Sequence, residues 1–207
     1  MKKNNALRVA AGLVVAVLLS TCLVSGTYAK YTTSGNIDDS ARVAKFGVTV
    51  TGNAGAFSDA YGATVKSADQ ADVVAPGTEG TFAANTIAGT PEVSVHVTNE
   101  ALFELGDNWV DEDGNFYCPL EITVGNGTAI KGTTFTSADD FEKAVKEAVK
   151  ATSADYAPNT SIAAACPSVS WKWAFAGNDD EKDTFLGDAA QPGEVSIGLS
   201  TTVTQID

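Results

Sequence analysis

The chain has 207 residues, 44% apolar and 19% charged, with 13 Lys and Arg against 26 Asp and Glu. That apolar share is enough for an ordinary core and excludes a globally disordered chain. The formal charge of −13 repels other polyanions, so nucleic acid and anionic membrane surfaces are excluded as partners.

The first element is a leader. Lys2 and Lys3 open a basic region, and Val9 to Val24 reads VAAGLVVAVLLSTCLV. Thr27 and Ala29 then place small residues at −3 and −1 of a signal-peptidase cut, with Lys30 as the first mature residue. Residues 1–29 are thus predicted to form an N-terminal signal helix that is removed. Its loss takes Lys2, Lys3 and Arg8 but no acid, leaving 10 cations, 26 anions and a net charge of −16 on 178 residues. Two other readings stay open. An uncleaved anchor would have to span with 16 apolar residues, short of the roughly 17–25 a bilayer needs. A lipoprotein signal at Leu19-Ser20-Thr21-Cys22 would place Thr before the lipidated Cys and apolar Leu23 and Val24 after it. The acidic surface suits solubility outside the cell; the sharper alternative is charge-tuned self-assembly by pH or divalent cations.

After a short segment, residues 30–39, one domain is expected over 40–207. Strands are predicted where apolar residues recur at period two. Ala44, Phe46, Val48 and Val50 form the first row, followed by Val93, Val95 and Val97, and then by Leu120, Ile122 and Val124. Val169, Trp171, Trp173 and Phe175 form a later row, and Val195, Ile197, Leu199 and Val203 the last. Turns are predicted between them at Pro76-Gly77, Asp113-Gly114 and Asn126-Gly127. One segment changes period: Phe141, Val145, Ala148 and Val149 follow helical spacing, with Ser137 as cap and Asp139 and Asp140 in the first turn. A Glu142–Lys146 pair supports that helix, over about residues 138–151. The expected fold is all-β, an antiparallel β-sandwich of jelly-roll type with this one inserted helix. The helix is expected to cover one end of the sandwich, the alternative being a partner-binding face.

Catalytic groups are sparse. His96, the only histidine, falls on the polar side of an alternating row. No HExxH, nucleophile elbow, Gly-rich phosphate loop or CxxC occurs. No enzyme activity, catalytic residue, metal or cofactor is therefore expected. Asp111, Asp113 and Asn115 offer alternate oxygens faintly like a calcium loop, but the Gly is misplaced and the distal Glu is missing, so a hairpin accounts for them. GNDDEKD, Gly177 to Asp183, reads as a solvated acidic turn. Cys118 and Cys166 are a candidate disulfide, worth about 4 kcal/mol in the chain-entropy model, or else two buried thiols. The Trp171, Trp173 and Phe175 row is expected to pack in the core rather than stack a ligand. No apolar tail follows the closing TTVTQID, so sortase-type attachment to a wall is not expected.

Several stretches together resemble one family. They are the apolar run ending in Gly26-Thr27-Tyr28-Ala29, then DSARVAKFGVTV (Asp39 to Val50), VAPGTEGTF (Val74 to Phe82), WKWAFAGNDDEKDTFLG (Trp171 to Gly187) and the closing run from Ile197 to Asp207. In that order, along nearly the whole chain, they are similar to the TasA/camelysin family of exported Gram-positive biofilm-matrix proteins, whose leaders are cut by a SipW-type signal peptidase. The resemblance implies a jelly-roll subunit that polymerises with itself outside the cell by donor-strand exchange, with a minor anchoring or assembly subunit as a further partner. Membrane contact is implied only through an uncleaved leader. The freed segment from Lys30 to Ile37 would be the donor, with Lys30, Tyr31, Thr32, Thr33 and Ile37 as its candidate residues. A disordered tail is the alternative for that segment. Camelysin-type proteins have been classed as metallopeptidases, a chemistry for which this chain lacks the HExxH carrier. A monomeric surface-associated adhesion domain is the other alternative.

Overall fold

Strands form where the alternation is cleanest, and each is paired antiparallel with its neighbour. The structure is a computed structural model; it describes residues 42–52, 57, 73–175 and 179–206. The leader and the segment Lys30–Asp39 lie outside the described residues. Residues 44–207 form one compact unit.

Three sheets are built from nine strands among the described residues. A two-stranded sheet joins β1 (Thr49–Thr51) and β3 (Thr86–Ala88). A four-stranded sheet runs in the order β2 (Glu79–Phe82), β8 (Val169–Trp173), β5 (Leu120–Val124), β6 (Ile130–Lys131). A three-stranded sheet places the long β4 (Val95–Leu105) between β7 (Ala154–Tyr156) and β9 (Val195–Gln205). Two helices, α1 (Ala138–Lys150) and α2 (Asp180–Asp188), complete the elements, with a 3-10 turn at Gly132–Thr134 before α1.

The core follows from the pleat. β5 and β8 pair Leu120 with Trp173, Ile122 with Trp171 and Val124 with Val169, and all six are buried. Each such side chain contributes about 1.5–3 kcal/mol by leaving water. On the opposite face Glu121 lies between Lys131 at 3.0 Å and Lys172 at 3.1 Å. The same cluster takes in Phe103 of β4 and Phe141, Val145 and Val149 of α1, so two sheets and a helix share it. A second cluster gathers Ile87, Val95, Val97, Ile162, Ala165 and Cys166.

Local chemistry shapes the connections as the sequence suggests. Gly77, at φ 83, lets Thr78 N donate to Ala75 O at 3.0 Å across the Pro76-Gly77 turn. Gly114, at φ 77, closes the hairpin that brings Val110 opposite Phe116. Gly125, at φ 54, and the bond from Gly127 N to Val124 O reverse the chain between β5 and β6. In α1 the Ser137 hydroxyl accepts from Asp140 N at 3.2 Å, and Lys146 reaches Glu142 at 3.0 Å. Phe141, Val145 and Val149 face the core, where Phe141 meets Phe103 edge-on.

Four expectations change. The first row does not make a strand from Ala44: Gly47 takes φ 54 and breaks the extended run, so β1 starts at Thr49 and Phe46 is exposed. The row of Trp171 and Trp173 stops there, because pairing with β5 ends at Leu120, and Phe175 is 74% exposed. The acidic loop becomes the first turn of α2, where Asp180, Glu181 and Asp183 favour the positive end of the helix dipole. Finally, β4 runs seven residues past Thr98, through a polar core position, Asn99, that interrupts the apolar alternation.

Candidate functional site, a long strand edge

β9 has eleven residues and pairs, among the described residues, with β4 alone. The register shows where its backbone groups point. Ile206 N donates to Ser94 O at one end of the ladder and Gly106 N donates to Glu194 O at the other. Hydrogen-bonded pairs alternate in an antiparallel ladder. The even-numbered residues of β9 therefore bond β4, and the odd ones, from Val195 to Gln205, turn their N–H and C=O outward. Leu199 fits this rule, since its carbonyl is held at 3.1 Å by Asn85 Nδ2.

The two outer edges of this sheet are treated differently. On the far side of β4, residues Val95 to Val97 pair with β7, Ser153 Oγ accepts from Asn99 N, and Glu142 Oε1 accepts from Leu105 N, both at 2.9 Å. Short partners and side-chain caps of this kind blunt an edge. β9 carries such a cap at Leu199.

Its side chains repeat the contrast. Val195, Ile197, Leu199 and Val203 face the core but are only half-buried, whereas Val95, Val97 and Phe103 of β4 have no exposed surface. The alternate residues, Ser196, Gly198, Ser200, Thr202 and Thr204, make a polar outer face. Backbone groups with no strand partner among the described residues, beside a half-covered apolar row, are the two features that strand addition uses, the first for hydrogen bonds and the second for side-chain burial.

Beneath the middle of β9 lies a buried polar network. Thr201 Oγ1 donates to Asn99 Oδ1 at 2.9 Å, and Asn99 Nδ2 donates to Ala165 O at 2.8 Å. Asn85 Nδ2 donates to Thr201 Oγ1 at 3.1 Å as well as to Leu199 O, and Asn85 N donates to Cys166 Sγ at 3.3 Å. Asn85 Oδ1 is buried and has no partner.

The residues singled out from sequence are placed as follows. Thr27, Ala29 and the segment Lys30, Tyr31, Thr32, Thr33 and Ile37 lie outside the described residues. Of the two readings for Cys118 and Cys166, the structure has two buried thiols and not the candidate bridge, the first in the large cluster and the second in the smaller one. Burial pushes the Cys118 thiol up to about 12. His96 lies on the polar face of β4, its Nδ1 against Asp155 Oδ1 of β7. Asp111 is committed to structure, since its carboxylate accepts from Asn115 N at 2.9 Å, Asp113 N at 3.2 Å and Lys182 Nζ at 3.1 Å. Trp171 packs against Phe57 with ring centroids 5.2 Å apart, inside the core. A groove of about 500 Å³ runs between α1 and β4, lined by Glu100, Ala101, Glu142, Lys143, Lys146 and Lys150. Its Lys146 is paired with Glu142 along the helix.

The alternation of β9 was visible in the sequence, but its place at a sheet edge was not, because one strand's pattern does not name its neighbours. No family model, curated protein or solved structure matches the chain.

Proposed function

We propose that this chain is a secreted structural subunit of extracellular matrix fibres, similar to the TasA/camelysin family, with a jelly-roll sandwich as its folded part. In this reading a SipW-type peptidase removes residues 1–29, and the freed segment Lys30–Ile37 adds as a strand to the β9 edge of a second copy. The supporting observation is that edge, eleven residues long, with its apolar row half-covered.

The segment has matching length and pattern. Eight extended residues span about 27 Å, within the roughly 37 Å of an eleven-residue strand. Tyr31, Thr33, Gly35 and Ile37 fall on one side, and Lys30, Thr32, Ser34 and Asn36 on the other. From the first row Tyr31 and Ile37 supply apolar anchors for the half-covered face of β9, and the second row continues the hydroxyl-rich outer face. Lys30 and the new terminal ammonium bring positive charge to a second copy whose net charge is negative. Donor and acceptor are different surfaces, so the contact is head-to-tail, and it builds an open filament where the rotation between successive copies does not close.

The test compares the mature chain, Lys30–Asp207, with a chain that begins at Ser40, by pelleting and electron microscopy. The expected result is fibres from the first and monomers from the second. Equal fibre yield would remove the donor role from the segment, and a mature chain that stays monomeric at every concentration would favour the adhesion-domain alternative.

A further inference from the structure

The outer face of the four-stranded sheet is a second surface, separate from the β9 edge. Alternation sends Leu120, Ile122, Val124, Val169 and Trp171 into the core, so the residues between them face away from it. The register lines these up in two rows across the strands. Glu79, Lys172, Glu121 and Lys131 form the first, each opposite the next. Thr81, Ser170 and Thr123 form the second. All but Lys131 line a groove of about 440 Å³, within the roughly 300–1,000 Å³ of small-molecule sites.

The chemistry of the lining selects the occupant. Charges alternate in sign along the first row, two carboxylates against two ammoniums, and cancel. An anion there meets Glu79 and Glu121, and a metal cation meets Lys172 and Lys131, so neither finds a field of one sign. Trp171 also borders the groove but is 2% exposed, so an apolar peptide has little to bury against. Hydrogen-bonding capacity, by contrast, is left over. Glu121 is held by Lys131 at 3.0 Å and by Lys172 at 3.1 Å, bonds that use one ammonium hydrogen of each lysine and leave two. Glu79 is exposed and has no ion-pair partner among the described residues. Thr81 is exposed as well, and Ser170 Oγ reaches Thr123 O only at 3.5 Å. Spaced donors and acceptors without net charge match vicinal hydroxyls, each of which both donates and accepts.

We propose that this groove binds a neutral saccharide, whose hydroxyls donate to Glu79 and accept from Lys172 while its other side meets the hydroxyls of Thr81, Ser170 and Thr123. Glu121 is a positioning residue that holds both lysines in the row. The site lies on a different sheet from β9, so it does not depend on the fibre reading.

The experiment is saturation-transfer NMR on the mature chain Lys30–Asp207, with cellotriose, maltotriose and the trimer of N-acetylglucosamine as probes. Transfer to at least one of them, saturating in the millimolar range, is expected. Glu79→Gln and Thr81→Val alter exposed side chains with little change of shape, and each is expected to weaken that binding about tenfold. Thr202→Val, on the outer face of β9, is expected to leave it unchanged. No transfer to any of the three probes overturns the proposal. Equal weakening by Thr202→Val, or unchanged affinity in both groove variants, does the same. Displacement of the sugar by equimolar phosphate or calcium would assign the groove to an ion and also overturn it.

Discussion

Asp111 closes the Asp113-Gly114 hairpin through two backbone N–H groups and also reaches Lys182 of α2 at 3.1 Å. Burial alone would raise its carboxyl, but the Asn115 N–H and the Lys182 ammonium outweigh that and hold it below its usual 3.8. Glu121 is treated alike: burial opposes, and Lys131 and Lys172 hold it below 4.5. A carboxylate lowered in the folded state contributes stability above its unfolded value and loses it as pH falls through the folded one. Lys182 is raised by the Asp111 bond, so its share is present below 10.5 and lost above. Tyr117 is raised too, by burial and by the bond to Asp183 Oδ1 at 2.8 Å. Acid also relieves the repulsion of 26 carboxylates, so the variant comparison isolates the effect. Asp111→Asn is expected to lower the melting temperature at pH 7, with the gap closing below about pH 4 as the native carboxyl protonates. A gap that widens in acid would contradict this. At this scale the sequence was readable where chemistry is local: Ser137 caps, and Gly77 and Gly114 turn. It was not readable for Asn99 and Asn85, whose burial depends on partners up to 116 positions away.

At the scale of elements, α1 was the clearest feature of the sequence, because cap, acidic first turn and apolar stripe agree. Its expected bounds of 138–151 differ from the observed Ala138–Lys150 by one residue. The stripe contributes most of its stability. Phe141→Ala should cost about 3–5 kcal/mol, while Ser137→Ala should cost about 1 kcal/mol, both measured by urea unfolding of the mature chain. A Phe141→Ala cost no larger than that of the cap would show that α1 is not docked through this face. α2 escaped the sequence reading for the opposite reason. Leu186 is its one buried residue, so no stripe marks it. It is held instead by side-chain bonds, from Tyr117 and Trp173 to Asp183 and from Lys182 to Asp111, which period counting does not detect.

At the scale of the whole molecule, the sequence carried the all-β character and the antiparallel pairing through its period-two rows and turn residues. It did not carry the sheet order. That order is what makes β4 central and β9 an edge among the described residues, and it follows from long-range pairing that no local pattern encodes. The proposed assembly joins a segment legible only in the sequence to an edge legible only in the fold. The most direct test of the account is amide hydrogen exchange of the mature chain, compared between the dilute monomer and the pelleted fibre. The outward amides of β9, among them those of Ile197, Thr201 and Val203, are expected to exchange at least tenfold more slowly in the fibre, together with new protection between Tyr31 and Ile37. Fibres in which β9 exchanges as fast as in the monomer would contradict the account.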